Sequence, residues 1–364
     1  MRILHLDPDD IDNPLSGGGP VRTFEICRRL ARRHEVTVLT PTFDGSTPQV
    51  ERDGVRYQRL GRKWGDHGSS HHLSFLLALP GAVRRHAHDL LVEDTMPPAA
   101  ATWTPLFRHR DRPLVSSVQW FSAREYTRWL KLPFHWGEQY GLRLYRHFVV
   151  LTESMRRTIE QRHPRADCRV IPNGVDPSLF DNPPQPGAGI LFLGRLEVHT
   201  KGLDLLLQAY AGIPPAERPA LTLAGTVQEP QRLARWLDDL GLTGQVRLAG
   251  PYDAGQRRQL LREARVVVMP SRIETFGMTI AEANAAARLV LVWDQAPMNE
   301  VAAPGDDLRV RPYDTQAYSQ ALRALLRAPD ETLLQRGLAA REHARRFDWD
   351  RLARLQEDFY LRSE

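Results

Sequence analysis

The 364-residue chain is predicted to be an α/β protein with two Rossmann-like, doubly wound domains that face each other across a cleft. Short apolar strands alternate with helical segments along the whole chain. A polar segment rich in Pro and Gly, 181–189, interrupts this alternation near the middle, and the alternation then starts again. We therefore expect an N-terminal domain over 1–180, a linker over 181–189, a C-terminal domain over 190–346 and a final helical segment over 347–364.

The first half begins as a nucleotide-binding unit does. A strand over 2–7 leads into Ser16-Gly17-Gly18-Gly19-Pro20, and a helix follows over 21–33. Glycines let backbone amides approach a phosphate or a sugar closely. The spacing differs from the dinucleotide fingerprint G-x-G-x-x-G, so a flexible turn is an equally good interpretation of this loop alone.

The rest of the first half alternates in the same way. Strands are predicted over 35–40, 54–60, 89–94, 114–120 and 148–152, followed by a last strand and turn over 169–176, with helices over 73–85 and 153–162. Ligands of such sheets bind at the carboxyl ends of the strands, where the glycine loop, Glu93, Asp94 and Gln119 fall. His67, His71 and His72 lie in a predicted loop, where solvated histidines are favoured over a metal site.

The second half repeats this pattern. Strands are predicted over 189–194, 220–225, 245–250, 266–269, 289–293 and 307–311; helices over 201–210, 229–240, 253–264, 280–287, 315–328 and 331–347, and from 348 onwards.

The stretch Glu274-Thr-Phe-Gly-Met-Thr-Ile-Ala-Glu282 crosses a strand-to-helix junction. The backbone N–H groups of Phe276, Gly277 and Met278 open the helix, where unpaired donors and the positive end of the dipole attract anions. Carboxylates on either side suit a ligand with hydroxyl groups at both ends and phosphate in the middle, as in a nucleotide-sugar. An ordinary helix N-terminus with acidic residues is an equally common explanation.

A cationic pair follows the first strand of the second half, in Gly194-Arg195…Lys201-Gly202. Two cations six residues apart at the start of a helix can hold a diphosphate from two directions. In isolation, this pattern is more often a solvated loop.

Composition excludes several classes of protein. Hydrophobic content of 42% and charged content of 26% are typical of a soluble globular protein, and no apolar run approaches the roughly 18 residues of a membrane span. Cys27 and Cys168 provide neither a disulfide framework nor a metal cluster, and because the first residues are predicted to enter a strand directly, no signal peptide is expected. We therefore expect a cytoplasmic protein.

The net charge of +5 is compatible with an anionic substrate or with peripheral contact to an anionic membrane. The basic residues form no K/R-rich run and no basic–aromatic pattern, which argues against nucleic acid as a partner.

Taken in chain order, the motifs resemble those of the retaining glycosyltransferases of the GT-B fold, family 4. They comprise Gly17-Gly18-Gly19, Asn173-Gly174-Val175-Asp176, Gly194-Arg195…Lys201-Gly202, Gly225 and Glu274-x-Phe-Gly-x4-Glu282. The resemblance covers nearly the whole chain. The two carboxylates with an internal Phe-Gly are specific in combination with the cationic pair, whereas the glycine loop alone is not.

The resemblance implies a role for each of these positions. Arg195 and Lys201, after Gly194, would bind the donor diphosphate and stabilise the departing nucleotide. Glu274 would bind hydroxyls of the transferred sugar, Glu282 the ribose hydroxyls, and the amides from Phe276 through Gly277 to Met278 the sugar and phosphate. Gly17 and Gly18 would approach the diphosphate from the other domain, and the final helix would return to the N-terminal domain.

Gln119 departs from the family pattern. Many relatives carry a His at the end of the fifth strand, whereas this chain has Gln119 there. A Gln side chain donates and accepts hydrogen bonds but cannot shuttle a proton at neutral pH. This weighs against a titrating base at that point. It fits the front-face mechanism usually discussed for retaining members of the family, in which the leaving phosphate accepts the proton of the acceptor.

The sequence thus predicts a retaining, metal-independent glycosyltransferase that uses a nucleoside-diphosphate sugar, with UDP favoured over GDP, and no cofactor. The acceptor would be a saccharide, a lipid-linked glycan or a small natural product, bound by the loops 61–72 and 122–136. The alternatives are a non-catalytic nucleotide-sugar-binding module and an epimerase or phosphorylase of similar fold. Neither the oligomeric state nor the acceptor follows from the residues.

Overall fold

A computed structural model describes residues 1–14, 16, 18–62, 70–95, 104–121, 127, 131 and 134–363. Gly17, His67 and most of the two predicted acceptor loops lie outside these residues. The chain divides into two compact units, Met1–Asn173 with Trp349–Glu364, and Gly174–Asp348.

The first unit contains an eight-stranded sheet of order β3-β4-β2-β1-β5-β6-β7-β8. Its strands are β1 Arg2–Leu6, β2 Glu35–Pro41, β3 Gln49–Arg52, β4 Val55–Leu60, β5 Leu90–Thr95, β6 Leu114–Val118, β7 His147–Val150 and β8 Asp167–Val170. All neighbours are parallel except β3 and β4, which pair antiparallel. The described helices of this unit are Gly19–Leu30, Ser70–Arg85, Phe134–Gly141, Glu153–Arg162 and Trp349–Arg362.

The second unit contains a fully parallel sheet of order β11-β10-β9-β12-β13-β14. Its strands are β9 Ile190–Leu193, β10 Leu221–Ala224, β11 Val246–Gly250, β12 Val266–Met269, β13 Val290–Trp293 and β14 Arg309–Val310. Its helices are Leu203–Ala211, Pro230–Asp239, Ala254–Glu263, Met278–Ala285, Met298–Val301, Thr315–Arg327 and Asp330–Ala344. The strands β9, β12 and β13 are apolar and buried throughout, as expected for parallel strands covered on both faces.

The predicted pair of doubly wound parallel sheets is confirmed. Three elements were not predicted: the edge strand β3, the helix Phe134–Gly141 and the short helix Met298–Val301. The edge strand β3 has a polar sequence and is largely exposed, so it carries little apolar alternation. The helix Phe134–Gly141 falls within a segment that we treated as an acceptor loop.

The predicted linker, 181–189, lies inside the second unit, because the unit boundary falls between Asn173 and Gly174. Side chains of that unit hold the segment. Arg258 Nε donates to Asn182 Oδ1 at 2.7 Å, and Arg288 Nη1 donates to the carbonyl oxygen of Gln185 at 2.9 Å.

The last helix, Trp349–Arg362, packs with the first unit. Trp349, Leu352 and Tyr360 are buried in the same apolar core as residues of β1 and β2. Gln356 Oε1 accepts a hydrogen bond from Arg22 Nη2 at 2.9 Å.

Candidate active site

In the second sheet the strand order reverses between β9 and β12, and ligands of doubly wound sheets bind at the carboxyl ends of the strands at such a point. Strand β9 ends at Leu193 and leads into Gly194-Arg195. Strand β12 ends at Met269 and leads towards Glu274 and Gly277. The topology therefore places the two predicted motifs of the second half at adjacent strand ends.

Lys201 and Glu274 contact each other directly. Lys201 Nζ lies 2.6 Å from Glu274 Oε1, and Ser271 Oγ donates to the same oxygen at 2.8 Å. Their side chains are only 16% and 9% exposed, so water screens the pair poorly. An ammonium group has three donors, which leaves two for a ligand.

Gly202 explains how this contact is held. Its φ of +66° is in the left-handed region, and a Cβ there would lie 2.1 Å from the carbonyl oxygen of Pro270. The loop that carries Lys201 therefore rests against the backbone that follows β12, and any other residue at Gly202 would push the two apart.

Arg195 lies in the same loop as Lys201, and its side chain is exposed. Gly194, the residue before Arg195, packs closely against Gly225, which follows β10. A Cβ on Gly225 would lie 1.8 Å from the carbonyl oxygen of Gly194. Among the described residues, the Arg195 side chain has no ion-pair partner, so its guanidinium is available to an anion.

The helix Met278–Ala285 begins at Gly277, whose φ of +90° is left-handed, and no described side chain caps it. Phe276 is buried, and its ring packs edge-on against Phe347 with centroids 5.5 Å apart. Phe276 thus anchors the loop by its side chain, which leaves its backbone amide for a ligand. The role of the amides from Phe276 to Met278 in binding sugar and phosphate stays a prediction.

Glu282 lies in this helix and is buried beside a cation that the sequence did not reveal. Arg257 Nη1 lies 2.6 Å from Glu282 Oε1, and its Nη2 lies 3.1 Å from Asp176 Oδ2. Burial raises the pKa of Glu282 to about 7. The positive charge of Arg257 opposes this rise, and the negative charge of Asp176 adds to it. Asp176 belongs to the Asn-Gly-Val-Asp motif, whereas nothing in the sequence around Arg257 marks it.

In the first unit, the strand order reverses between β1 and β5. Gly18 precedes the helix Gly19–Leu30 with an ordinary φ of −79°. A Cβ on Gly18 or on Gly19 would meet no atom within 4 Å. Neither the backbone conformation nor the packing of the described residues requires glycine there, which leaves room for a ligand to approach.

Gln119 follows β6 and reaches Asp94. Its Nε2 lies 3.4 Å from Asp94 Oδ1 and 3.4 Å from Ser117 Oγ, which are long hydrogen bonds. Asp94 also accepts a hydrogen bond of 2.7 Å from Thr23 Oγ1, and its Oδ1 lies 3.5 Å from His5 Nε2.

The residues around Asp94 form a buried, acidic cluster that sequence analysis found only in part. Burial opposes ionisation of Asp94, but His5 and neighbouring hydroxyl groups outweigh it and hold its pKa below the ordinary value. Burial lowers the pKa of His5, whereas Asp94 and Cys27 raise it well above the ordinary value overall. Burial and the charge of Asp94 raise the pKa of Asp7 to about 8.

Glu93 contacts different partners from its neighbour Asp94. It accepts hydrogen bonds from Thr104 Oγ1 at 2.8 Å and from the Tyr145 hydroxyl, and burial raises its pKa to about 8. This buried network indicates a structural role for Glu93.

Within the described residues, no group of three or more His, Cys, Asp or Glu side chains is placed to hold a metal ion. In the same part of the chain, we find no helix with the length and apolar character that crossing a membrane requires.

Comparison with known proteins defines the class of this fold and then the family. Over 99% of this chain and 98% of the other, the structure matches the sucrose-phosphate synthase of Thermosynechococcus elongatus, with a TM-score of 0.80 and 18% sequence identity. Anabaena HepE, solved in complex with UDP and glucose, matches with a TM-score of 0.74 and 17% identity over 98% of each chain. The fold is therefore the GT-B fold of glycosyltransferases.

Two family models match the sequence: Glycosyltransferase Family 4 over residues 16–179 and Glycosyl transferases group 1 over residues 187–328. The phosphatidyl-myo-inositol mannosyltransferase of Mycobacterium leprae is 28% identical over 373 residues, which cover 97% of this chain and 94% of that protein. The chain belongs to the family 4 glycosyltransferases of GT-B type, which confirms the family predicted from its motifs.

Proposed function

We propose that this protein transfers a sugar from a nucleoside-diphosphate sugar, with UDP as the favoured nucleotide, to a hydroxyl group of an acceptor, with retention of anomeric configuration. The contact between Lys201 and Glu274 at the switch point of the second sheet carries this proposal. It brings a group suited to phosphate next to a group suited to sugar hydroxyls. Lys201 precedes the helix Leu203–Ala211 and Glu274 precedes the helix Met278–Ala285, and no described side chain caps either helix.

The reaction is a substitution at the anomeric carbon of the donor. The bond from that carbon to the diphosphate oxygen breaks, and a bond to the acceptor oxygen forms on the same face. The diphosphate leaves with the electron pair and accepts the proton of the acceptor hydroxyl. Arg195 and Lys201 stabilise the negative charge that develops on the diphosphate.

The two carboxylates bind opposite ends of the donor in this proposal. Glu274, already held by Lys201 and Ser271, accepts hydrogen bonds from the transferred sugar. Glu282 accepts hydrogen bonds from the ribose, and Arg257 keeps it oriented and favours its ionised form. We propose that no metal ion takes part, because the two cations supply the charge that the leaving group needs.

The experiment is turnover of the purified protein with a panel of nucleoside-diphosphate sugars and hydroxyl acceptors, in buffer containing EDTA. Release of nucleoside diphosphate is measured, and proton NMR gives the anomeric configuration of the product. We expect an α-linked product from an α-linked donor, and no activity in the Lys201→Ala/Arg195→Ala variant. An inverted product, or activity that returns only with a divalent metal, would contradict retention or metal independence, respectively.

A further inference from the structure

A cavity of about 750 Å³ lies in the first unit, at the amino-terminal ends of β6 and β7. The first residues of these strands, Leu114 and His147, line it. Because neighbouring strands are parallel, this edge of the sheet is opposite the one that Gln119 follows. None of the described residues proposed for glycosyl transfer lines this cavity, so it is separate from the site that they form.

The charge of this cavity is strongly unbalanced. Among the residues that the structure describes, its lining includes a single carboxylate, Asp111, and six arginines: Arg108, Arg110, Arg112, Arg143, Arg146 and Arg165. A second cavity of about 700 Å³, in the other unit, is lined by two arginines, Arg232 and Arg235, and two carboxylates, Glu229 and Asp239. The two cavities are similar in size but differ in charge. The cavity with equal numbers of arginines and carboxylates can therefore serve as a control for anion binding in the arginine-rich one.

Three of the six guanidinium groups are partly engaged. Arg108 Nη1 donates to the carbonyl oxygen of Arg112 at 3.1 Å, and Arg143 Nε to that of Arg162 at 3.4 Å. Arg112 lies 3.7 Å from Asp89 and 3.6 Å from Asp111, beyond hydrogen-bonding distance.

The other three arginines, Arg110, Arg146 and Arg165, are exposed. In the described part of the chain they have no ion pair or hydrogen bond from the side chain. Each guanidinium carries five N–H donors and stays protonated at any physiological pH. Their mutual repulsion is relieved when an anion binds between them.

We propose that this cavity binds a ligand that carries a phosphate diester, a phosphate monoester or a diphosphate. The arginines come from three separate segments, 108–112, 143–146 and 165, so cations that are distant in the chain line one cavity. A tetrahedral phosphate offers acceptor oxygens in several directions, whereas a planar carboxylate offers two in one plane. The volume lies within the range of small-molecule sites. A phospholipid headgroup and a soluble phosphorylated compound share this chemistry.

The test uses the full chain with Lys201→Ala and Arg195→Ala as background, which removes the diphosphate site proposed for the donor. Into this background we introduce either Arg146→Gln/Arg165→Gln in the basic cavity or Arg232→Gln/Arg235→Gln in the balanced cavity. Both pairs lower the net charge equally, and all four side chains are exposed, so we expect each variant to fold. Circular dichroism and thermal unfolding check this.

Two probes separate the sources of phosphate. Calorimetric titration with inorganic pyrophosphate tests a soluble ligand, and cosedimentation with phosphatidylglycerol vesicles, against pure phosphatidylcholine vesicles, tests a headgroup. We expect binding of at least one probe, weakened about tenfold or more by Arg146→Gln/Arg165→Gln and changed about twofold or less by Arg232→Gln/Arg235→Gln. Pyrophosphate binding assigns the site to a soluble ligand, and vesicle binding alone assigns it to a lipid.

The proposal is overturned if neither probe binds the background protein. It is also overturned if the two pairs of substitutions weaken binding equally, because net charge rather than the cavity would then be responsible. Neither outcome bears on glycosyl transfer, which is measured separately with Lys201 and Arg195 intact.

Discussion

The two sheets reverse their strand order in the same way, yet the charged groups at the two reversal points differ. The second has a cation in excess, the exposed Arg195 beside the Lys201–Glu274 pair, whereas the first has a buried His5–Asp94 pair with Asp7 largely protonated near neutral pH. In the second unit, the cation Lys201 contacts Glu274 in a partly exposed loop. In the first unit, Asp7 and Asp94 are buried with His5. The same topology therefore sets where a ligand binds, and the loops that follow the strands decide its charge. A leaving diphosphate suits the cations of the second unit, Arg195 and Lys201, which supports the proposed binding of the donor to that unit.

Removal of Lys201 is the strongest test of this contrast. We expect Lys201→Ala to lower kcat/KM by about 100- to 1,000-fold, as for loss of a donor to a developing oxyanion, about 2.7–4 kcal/mol. The matched control is Arg235→Ala, an exposed cation of the same unit outside the site. Steady-state kinetics and thermal unfolding measure both variants; equal activity of the two folded proteins would remove Lys201 from the reaction.

Substitution in the buried cluster of His5, Asp7 and Asp94 in the first unit should instead change the stability of the protein. We expect Asp94→Asn to lower the free energy of unfolding by about 3–5 kcal/mol, because it breaks the buried His5–Asp94 pair and His5 must then stay charged without that partner or give up its proton. The exposed pair Arg2–Asp89 provides the control Asp89→Asn, with an expected loss of about 1 kcal/mol or less.

The pH dependence of that loss follows from the two pKa shifts. The pKa of His5 is raised, so its stabilisation is complete below its ordinary value of 6.5 and is lost as pH rises through the folded-state value. The pKa of Asp94 is lowered, so its contribution is lost only as the solution becomes strongly acidic. Urea unfolding should therefore show the largest difference between wild type and Asp94→Asn near pH 5–6, and a difference that grows towards pH 9 would contradict a charged His5.

Within the second unit, the two carboxylates should differ in kinetic effect. We expect Glu274→Gln chiefly to lower kcat, since it weakens a contact to the sugar that changes in the transition state. Glu282→Gln should chiefly raise the donor KM and weaken binding of free nucleoside diphosphate, about tenfold. Arg257→Gln should resemble Glu282→Gln, because Arg257 orients that carboxylate.

Calorimetric titration with the nucleotide alone, beside steady-state kinetics, separates these roles. If Glu274→Gln abolished nucleotide binding while Glu282→Gln left it intact, the two ends of the donor would be assigned in reverse.

The smallest effect concerns pH. The free Glu282 carboxyl has a pKa of about 7, and the ribose needs its ionised form as an acceptor. Affinity for free nucleoside diphosphate should therefore rise a few-fold between about pH 6 and pH 8. The Glu282→Gln variant keeps the titration of the phosphate but lacks that of the carboxyl, so a difference in slope between the two proteins isolates Glu282. Parallel slopes would mean that Glu282 does not titrate in this range.

Much of the fold could be predicted because its signals are local. The strand Val266–Met269 is a short apolar run, and the structure gives it the predicted bounds. Strand β3 was missed because an exposed edge strand needs no apolar face. The segment 181–189 was predicted to be a linker, whereas the structure holds it inside the second unit. Pro and Gly indicate irregular backbone, but they cannot show which distant side chains bind that backbone.

Contacts between distant residues could not be predicted in the same way. The residues Lys201 and Glu274 were each found from a local motif, but 73 positions separate them and their contact depends on Gly202 lying against Pro270. Arg257 and Arg258 are neighbours in one helix, and only the tertiary structure distinguishes them. Arg257 binds Glu282, whereas Arg258 binds Asn182.

The helix Trp349–Arg362 has a consequence for synthesis of the chain on the ribosome. The first unit needs Trp349, Leu352 and Tyr360 to complete its apolar core, and it is separated from them by the whole of the second unit. The second unit is one continuous segment and can fold as soon as it emerges. The first-made domain is thus the last to be completed, and until then the apolar surface beside the helix Gly19–Leu30 is open to chaperones and proteases.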